Sequence, residues 1–350
     1  MAEVDGDSAG GRATRAAVVV HPGKHDDLDG FRDVVVKTMT KLGLDEPLWL
    51  ETTPEETGEG HARTAVAAGV DLVLASGGDG TITACVAGVA GTGIPLGVLP
   101  CGTGNLLARN LGLPLDLAQA LAVALTGGEK LLDVGVANGK QFVVMAGLGF
   151  DAEMLAGASE GLKKRAGWAA YLLSALRHLW DQPVRVVVRA DLGPPLRRWA
   201  SGVIVGNVGA LQGNDRLLPD AAPDDGILNV AILTAWGIVG WLGLVADVLL
   251  LRRKTARLTR LTCRELVVET RRPRPWEVDG DVIGAARRLH VTLKPADLLV
   301  RVPACGRRPA GGGLRAACAA QGVRAHEEDD PAAGQMLGVV AQPYADPGQG

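Results

Sequence analysis

Two short glycine-rich segments hold the residue types best suited to chemistry: Ser76-Gly77-Gly78-Asp79-Gly80-Thr81 and Gly102-Thr103-Gly104-Asn105. Each follows an apolar run that reads as a β-strand and precedes a run that reads as a helix. Glycines at such a junction let backbone N–H groups approach phosphate oxygens, the helix N-terminus adds positive dipole, and Thr81 can donate a hydroxyl hydrogen bond. Asp79 would repel a bare phosphate, so it makes chemical sense through Mg²⁺ or as a proton acceptor; the plainer reading is a helix cap in a tight turn. In a parallel sheet both loops emerge at one edge and can enclose a single triphosphate. Asn105 either caps its helix or reaches a phosphate or ribose, and Arg109 is either a surface charge or a phosphate ligand. Neither segment carries GxxxxGK[ST], nor GxGxxG with a downstream ribose acid, which argues against a Walker-type ATPase and a simple dinucleotide site.

Two acidic segments follow. LPDAAPDDGILNV begins at Leu218, and WEVDGDVIG contains Asp279 and Asp281. On spacing alone, each also reads as an Asp-Gly turn between strands, the second as a type I′ hairpin.

The elements that position these residues fall into two textures. Strand signals at Ala16 to Val20, Trp49 to Thr53, Asp71 to Ala75 and Pro95 to Leu99 alternate with helical ones at Leu28 to Leu42, His61 to Gly69, Thr81 to Val89 and Asn105 to Arg109. Such alternation predicts an open parallel α/β sheet with helices on both faces. After Leu131-Leu132-Asp133 the chain turns to short β-rich runs (QFVVMA, VRVVVRA, SGVIVGN, ILNVAIL, RELVVET, RLHVTLK), which predict a mainly antiparallel β lobe. From Gly306 the Gly, Ala, Pro and Gln content rises without apolar period, and residues 306–350 read as a disordered tail.

Composition narrows the functional classes. The 350 residues carry 36 basic and 39 acidic side chains spread along the chain, for a net charge of -3, so no basic field for a nucleic acid is expected. Five cysteines without a CxxC pair and six histidines without metal-ligand spacing suggest a reducing cytosol and no zinc site. The polar N-terminus argues against export. The stretch from Ala235 to Lys254 is broken by glycines and Asp247 and reads as a buried or interfacial helix. Trp168 to Leu173, preceded by Lys163, Lys164 and Arg165, has a similar character, as do Arg252, Arg253 and Lys254 at the end of the first.

Gly77 to Thr81, Gly102 to Asn105, the segment from Leu218 and Val278-Asp279-Gly280-Asp281, in that order, resemble the diacylglycerol kinase catalytic family, which includes bacterial lipid kinases and the sphingoid and ceramide kinases. The resemblance spans about residues 16 to 305. It implies a nucleotide-binding α/β lobe (16–132), a β-rich lobe (133–305) with a structural magnesium site and an acceptor groove, and a nucleotide cleft between them. It further implies ATP and Mg²⁺, with nucleotide contacts from His21, Pro22, Gly23, Lys24 and Thr53 besides the two glycine loops. Magnesium would be held by the Asp225 side chain and the carbonyls of Ala222 and Ile227, with Asp133 either part of that charge network or an ordinary strand-end acid. The family's Asp-Gly-Glu element supplies a proton acceptor, placing Asp279 first and Asp281 second. His21 stands where asparagine is common, and Asp281 where the family has glutamate. The implied reaction transfers the γ-phosphate of ATP to a hydroxyl of diacylglycerol or a similar lipid, in the cytoplasm with transient contact at the inner membrane face. A kinase of a soluble acceptor such as NAD, and a catalytically weak nucleotide-binding regulator, stay open as alternatives, as does a homodimer.

Overall fold

The first strand is an uninterrupted apolar run, as expected when helices cover both faces of a sheet. In the computed structural model, which describes residues 15–149, 183–212, 215–216, 218–249 and 255–304, it forms β1 (Ala16–Val20). Ala17 and Val19 point into one core with α2 (Glu59–Ala67) and α3 (Asp79–Val89), while Ala16, Val18 and Val20 point into another with α1 (Leu28–Lys41) and α5 (Leu117–Thr126). Fully burying a Phe31, Val35 or Met39 on such a face contributes roughly 1.5–3 kcal/mol per side chain. The Asp27 carboxylate caps α1 by accepting from Gly30 N at 2.8 Å, and Asp116 caps α5 by accepting from Gln119 N at 3.0 Å.

β1 pairs in parallel with β2 (Leu48–Glu51) and β3 (Leu72–Gly77), and β3 with β4 (Leu96–Pro100), giving the order β4-β3-β1-β2. This is the expected parallel α/β arrangement. A short α4 (Leu106–Asn110) follows β4. α5 lies outside the helices expected from the sequence, although its buried residues Ala120, Leu121, Ala124 and Leu125 have helical spacing.

β5 (Gly128–Ala137) carries the chain into the antiparallel half: β6 (Lys140–Phe142), β7 (Met145–Leu148), β8 (Val184–Ala190), β9 (Leu196–Ala200), β10 (Gly202–Gly206), β11 (Ala210–Gln212), β12 (Asp215–Arg216), β13 (Leu228–Leu233), β14 (Leu258–Cys263), β15 (Glu265–Val278) and β16 (Asp281–Val302). The runs RELVVET and RLHVTLK belong to the two long strands β15 and β16. β16 pairs antiparallel with β15 and β5, and its far end meets β4 in parallel at Val300 and Leu96. Among the described residues one 14-stranded sheet therefore runs through both halves.

The helix α6 (Gly237–Leu249) buries Trp241 and Leu244 and exposes Ile238, Val239 and Leu242. No helix among the described residues is long and apolar enough to cross a membrane. The Trp168 to Leu173 segment, both basic runs beside the apolar segments, and the tail lie outside the described residues.

Candidate active site

Parallel strands deliver their C-terminal ends to one edge, and the two glycine loops meet there. Gly77 closes β3, and Gly78 precedes α3. A Cβ on Gly102 would come 2.8 Å from the Cα of Gly78, so the loops touch backbone to backbone and Gly102 has no room for a side chain. Asp79 locks them together. One carboxylate oxygen accepts from Asn105 N at 2.9 Å and the other from Leu106 N at 2.6 Å, at the start of α4. Burial raises its pKa, against the opposing pull of these amides.

The side chain of Asn105 does not cap α4, which corrects that reading from sequence. It turns back on its own loop, accepting from Gly102 N at 2.9 Å and donating to Gly102 O at 2.8 Å. Its left-handed backbone, φ 49°, makes this closure possible. Arg109 Nε donates to Gly104 O at 2.8 Å, and Thr103 is exposed beside it. Thr81 is buried beneath Gly77, where a Cβ would strike its side chain at 2.6 Å. Gly80 stays open on the cleft side, facing Asp281.

The segment after β1 lies at the same edge. His21 N donates to Ser76 O at 2.8 Å, Pro22-Gly23-Lys24 forms a 3-10 turn, and the Lys24 side chain passes Gly78. His25 stacks on Phe31 at 4.3 Å and lies 3.1 Å from Ser76 Oγ, its pKa lowered by burial and then by His21. Thr53 Oγ1 accepts from Glu56 N in the turn after β2.

The opposite wall comes from the β15–β16 hairpin. Val278 pairs with Asp281, leaving Asp279 and Gly280 as a two-residue turn with φ 48° and 95°, the positive pair of a type I′ turn. The hairpin and functional readings therefore coincide. Asp279 is 6% exposed, and four donors surround its carboxylate: Val143 N at 3.1 Å, Val144 N at 2.9 Å, Met145 N at 2.8 Å and Thr83 Oγ1 at 2.8 Å. Three successive amides form an anion-binding nest. Burial still pushes its pKa up to about 6. Asp281, two residues on, is exposed, and a Cβ on Gly80 would lie 3.1 Å from its carboxylate oxygen. Burial of the carboxyl and then the charge of Asp79 raise its pKa. Asp279 spends its lone pairs on joining α3 to the β half, and Asp281 is the one of the two that faces the glycine loop.

Sequence reasoning passed over Thr83 and Glu277. Thr83 lies on α3 one turn beyond Gly80; Glu277 interrupts the apolar WEV run on a strand whose neighbours are buried. Glu277 is 1% exposed, one oxygen lies over Gly147, and the other has no hydrogen-bond partner among the described residues. Burial, then Asp279 and Asp281, push its pKa up to about 8 from 4.5. A carboxyl with a raised folded pKa binds its proton more tightly when native. Its stabilising contribution is therefore full below about 4.5 and lost as pH rises towards 8. Replacing Glu277 with glutamine should remove up to roughly 5 kcal/mol of pH-dependent destabilisation over that window. Thermal melts at several pH values would show it as a flatter profile, and a profile parallel to the native one contradicts it.

The second acidic segment lies between β12 and β13 and gathers Ala222, Asp225 and Ile227. Asp225 accepts from Ile227 N at 3.0 Å. Its pKa is raised by burial and then by Asp133 and Asp224, with backbone hydrogen bonds from Ile227 and Ala222 opposing. Asp133 accepts from Gly226 N at 2.7 Å and Ala296 N at 2.8 Å, tying the loop to β16, and Lys130 answers Asp224 at 3.1 Å. Asn207 braces this junction by donating to Asp133 O at 2.8 Å. No three acidic, histidine or cysteine side chains among the described residues converge closely enough to ligate a metal by themselves. The hard-oxygen character and mutually repelling carboxylates nevertheless suit a divalent cation held partly by carbonyls and water.

Sequence comparison matches residues 15–137 to the diacylglycerol kinase catalytic domain and residues 143–302 to the YegS C-terminal NAD kinase beta sandwich-like domain. A protein of Pseudomonas aeruginosa PAO1 described as "Probable lipid kinase YegS-like" is 34% identical over 252 residues, 69% of this chain and 79% of the relative. One of the same description from Pseudomonas syringae pv. tomato is 31% identical over 306 residues, 83% of this chain and 94% of the relative. The fold also resembles a diacylglycerol kinase structure from Bacillus anthracis, with a TM-score of 0.64 at 20% identity over 83% of this chain and 98% of that one. With its glycine loops clamped by Asp79 against an Asp-Gly-Asp hairpin, the chain belongs to the diacylglycerol kinase catalytic-domain family, in its YegS-like branch.

Proposed function

We propose that the protein is an ATP- and Mg²⁺-dependent lipid kinase that transfers the γ-phosphate of ATP to a hydroxyl of diacylglycerol or a similar lipid. The observation that carries this reading is the approach of Asp281 to Gly80 across the edge where the two glycine loops meet. In phosphoryl transfer the protein mainly positions the reactants in line and balances charge, while a carboxylate can take the hydroxyl proton as attack proceeds. The loop amides, the α3 N-terminus and Lys24 offer positive potential to the phosphates. Asp79 holds the two loops at fixed spacing. Asp281 receives the acceptor proton, and Asp279 fixes the hairpin that presents it.

Magnesium, when bound, neutralises phosphate charge; Asp225 with the carbonyls of Ala222 and Ile227 would hold a structural ion. The exposed apolar face of α6, with Val239 78% exposed, and Trp236 just before the helix, 57% exposed, suit contact with acyl chains. The names of the relatives support a lipid acceptor.

The test is transfer of label from [γ-³²P]ATP, with Mg²⁺, to diacylglycerol, a sphingoid base and phosphatidylglycerol in mixed micelles, with NAD as a soluble acceptor in parallel. Labelled lipid is expected. Label in NAD alone would replace this reading with a soluble-acceptor kinase.

A further inference from the structure

Charge that looks evenly spread along the sequence is not evenly spread once folded. β8, β9, the first part of β15 and the facing part of β16 are neighbours in one sheet. Residues 183–200, 264–274 and 285–290, which make up this region, hold ten arginines and three acids, with no lysine, on a chain whose net charge is -3. The acids are engaged: Glu269 by Arg189 at 2.7 Å, Glu265 by His290 at 2.8 Å, and Asp191 by the amides of Arg264 and Glu265 at 2.8 and 2.9 Å. With Arg189 spent on Glu269, the arginines still outnumber the acids and leave a positive field.

The field has a shaped centre. A groove of about 390 Å³ is lined by Arg185, Arg197, Arg198 and Arg271, with Thr270 and Glu269 beside them. Arginine forks match phosphate oxygens bidentately, which lysine cannot do. The same β8–β9 hairpin also carries exposed apolar groups. Leu192, in the β8–β9 turn Asp191-Leu192-Gly193-Pro194-Pro195, is fully exposed, and Trp199 is 57% exposed with Arg185 stacked 5.9 Å from its ring. Exposed leucine and tryptophan beside arginines fit the boundary between headgroups and acyl chains better than a nucleic acid backbone, which asks for charge without apolar depth.

We propose that this arginine face, centred on the Arg185, Arg197, Arg198 and Arg271 groove, docks the protein on the phosphate headgroups of an anionic bilayer. The inference rests on the lipid-kinase reading, since an enzyme acting on lipid has to meet the surface that holds it. It assigns that contact to a β face that belongs to neither the glycine loops nor the Asp281 hairpin. Each basic side chain near an anionic surface adds to the attraction, which weakens with salt.

The experiment is flotation of the full chain with vesicles of phosphatidylcholine alone and of phosphatidylcholine mixed with phosphatidylglycerol, at low and raised salt. The native protein should float with the mixed vesicles only, and less so at raised salt. The triple variant Arg197→Gln, Arg198→Gln, Arg271→Gln should lose about a hundredfold in partitioning. Trp199→Ala should weaken binding with little change in salt dependence. Both variants should phosphorylate a short-chain, monomerically dispersed diacylglycerol at the native rate, an assay that needs no vesicle and checks the kinase reading separately. Undiminished flotation of the triple variant overturns the proposal. So does arginine-dependent binding of a short RNA by a protein that ignores both vesicle types.

Discussion

Replacing Asp279 with alanine should lower stability by about 4 kcal/mol and the melting temperature by roughly 10 °C, read by thermal circular dichroism at neutral pH. The change strips a buried carboxylate from three backbone amides and the Thr83 hydroxyl, leaving them without an acceptor in a site that is 6% exposed. Each hydrogen bond to an ionised group is worth more than a neutral one, and each orphaned donor adds a desolvation cost. The loss is also topological. Thr83 belongs to α3 and the three amides to the β6–β7 connection and the first residue of β7, so Asp279 joins the two halves of the molecule. A melting temperature within a degree or two of native would mean that the nest is satisfied by something other than this carboxylate.

Replacing Asp281 with asparagine should give the opposite pattern. The residue is exposed, so the melting temperature should hardly move, and nucleotide affinity should persist because loop spacing is set by Asp79. Turnover should fall by about 10²–10⁴-fold, the usual weight of a positioned general base. The pH profile adds a second readout. Burial and the charge of Asp79 raise the Asp281 pKa, so in the native enzyme the fraction able to accept a proton falls as pH drops through that raised value, and kcat falls with it. The asparagine variant should lack that acidic limb. An unchanged kcat would remove Asp281 from the chemistry whatever the stability data say.

The parallel half was legible because its signals are local. β1 emerges with its predicted ends, since an apolar run followed by His21-Pro22-Gly23 contains both the strand and its stop. The glycine loops were legible because a strand, close-set glycines and a helix start occupy a few consecutive residues. The long strands β15 and β16 were read as fragments. Pro273 and Pro275 look like breakers, and only the fold reveals that the ladder shifts register between Glu269 and Arg274, where Pro273 sits, and again between Trp276 and Glu277, just past Pro275. The division of labour between Asp279 and Asp281 was beyond local reading for a similar reason. It depends on amides more than 130 residues away and on a hydroxyl 196 residues away. The arginine face is likewise a product of strand pairing, since its members come from three separate stretches that look unremarkable in a chain with balanced charge.

The hairpin itself sends the two aspartates in different directions. Its left-handed φ at Asp279 turns the Asp279 carboxyl into the nest and leaves the next side chain, Asp281, facing the loops. A family whose element ends in glutamate would place the same carboxylate one methylene further out.

The central claim, that a carboxylate at position 281 accepts the proton during transfer from ATP to a lipid hydroxyl, is tested most directly by one side-by-side measurement. Label transfer from [γ-³²P]ATP to the preferred lipid would be followed for the native chain, Asp281→Glu and Asp281→Asn at saturating nucleotide. The expected result is substantial turnover in the glutamate variant, which restores a carboxylate, and loss by about two orders of magnitude or more in the asparagine variant. Equal turnover in the asparagine variant and the native chain would contradict the claim.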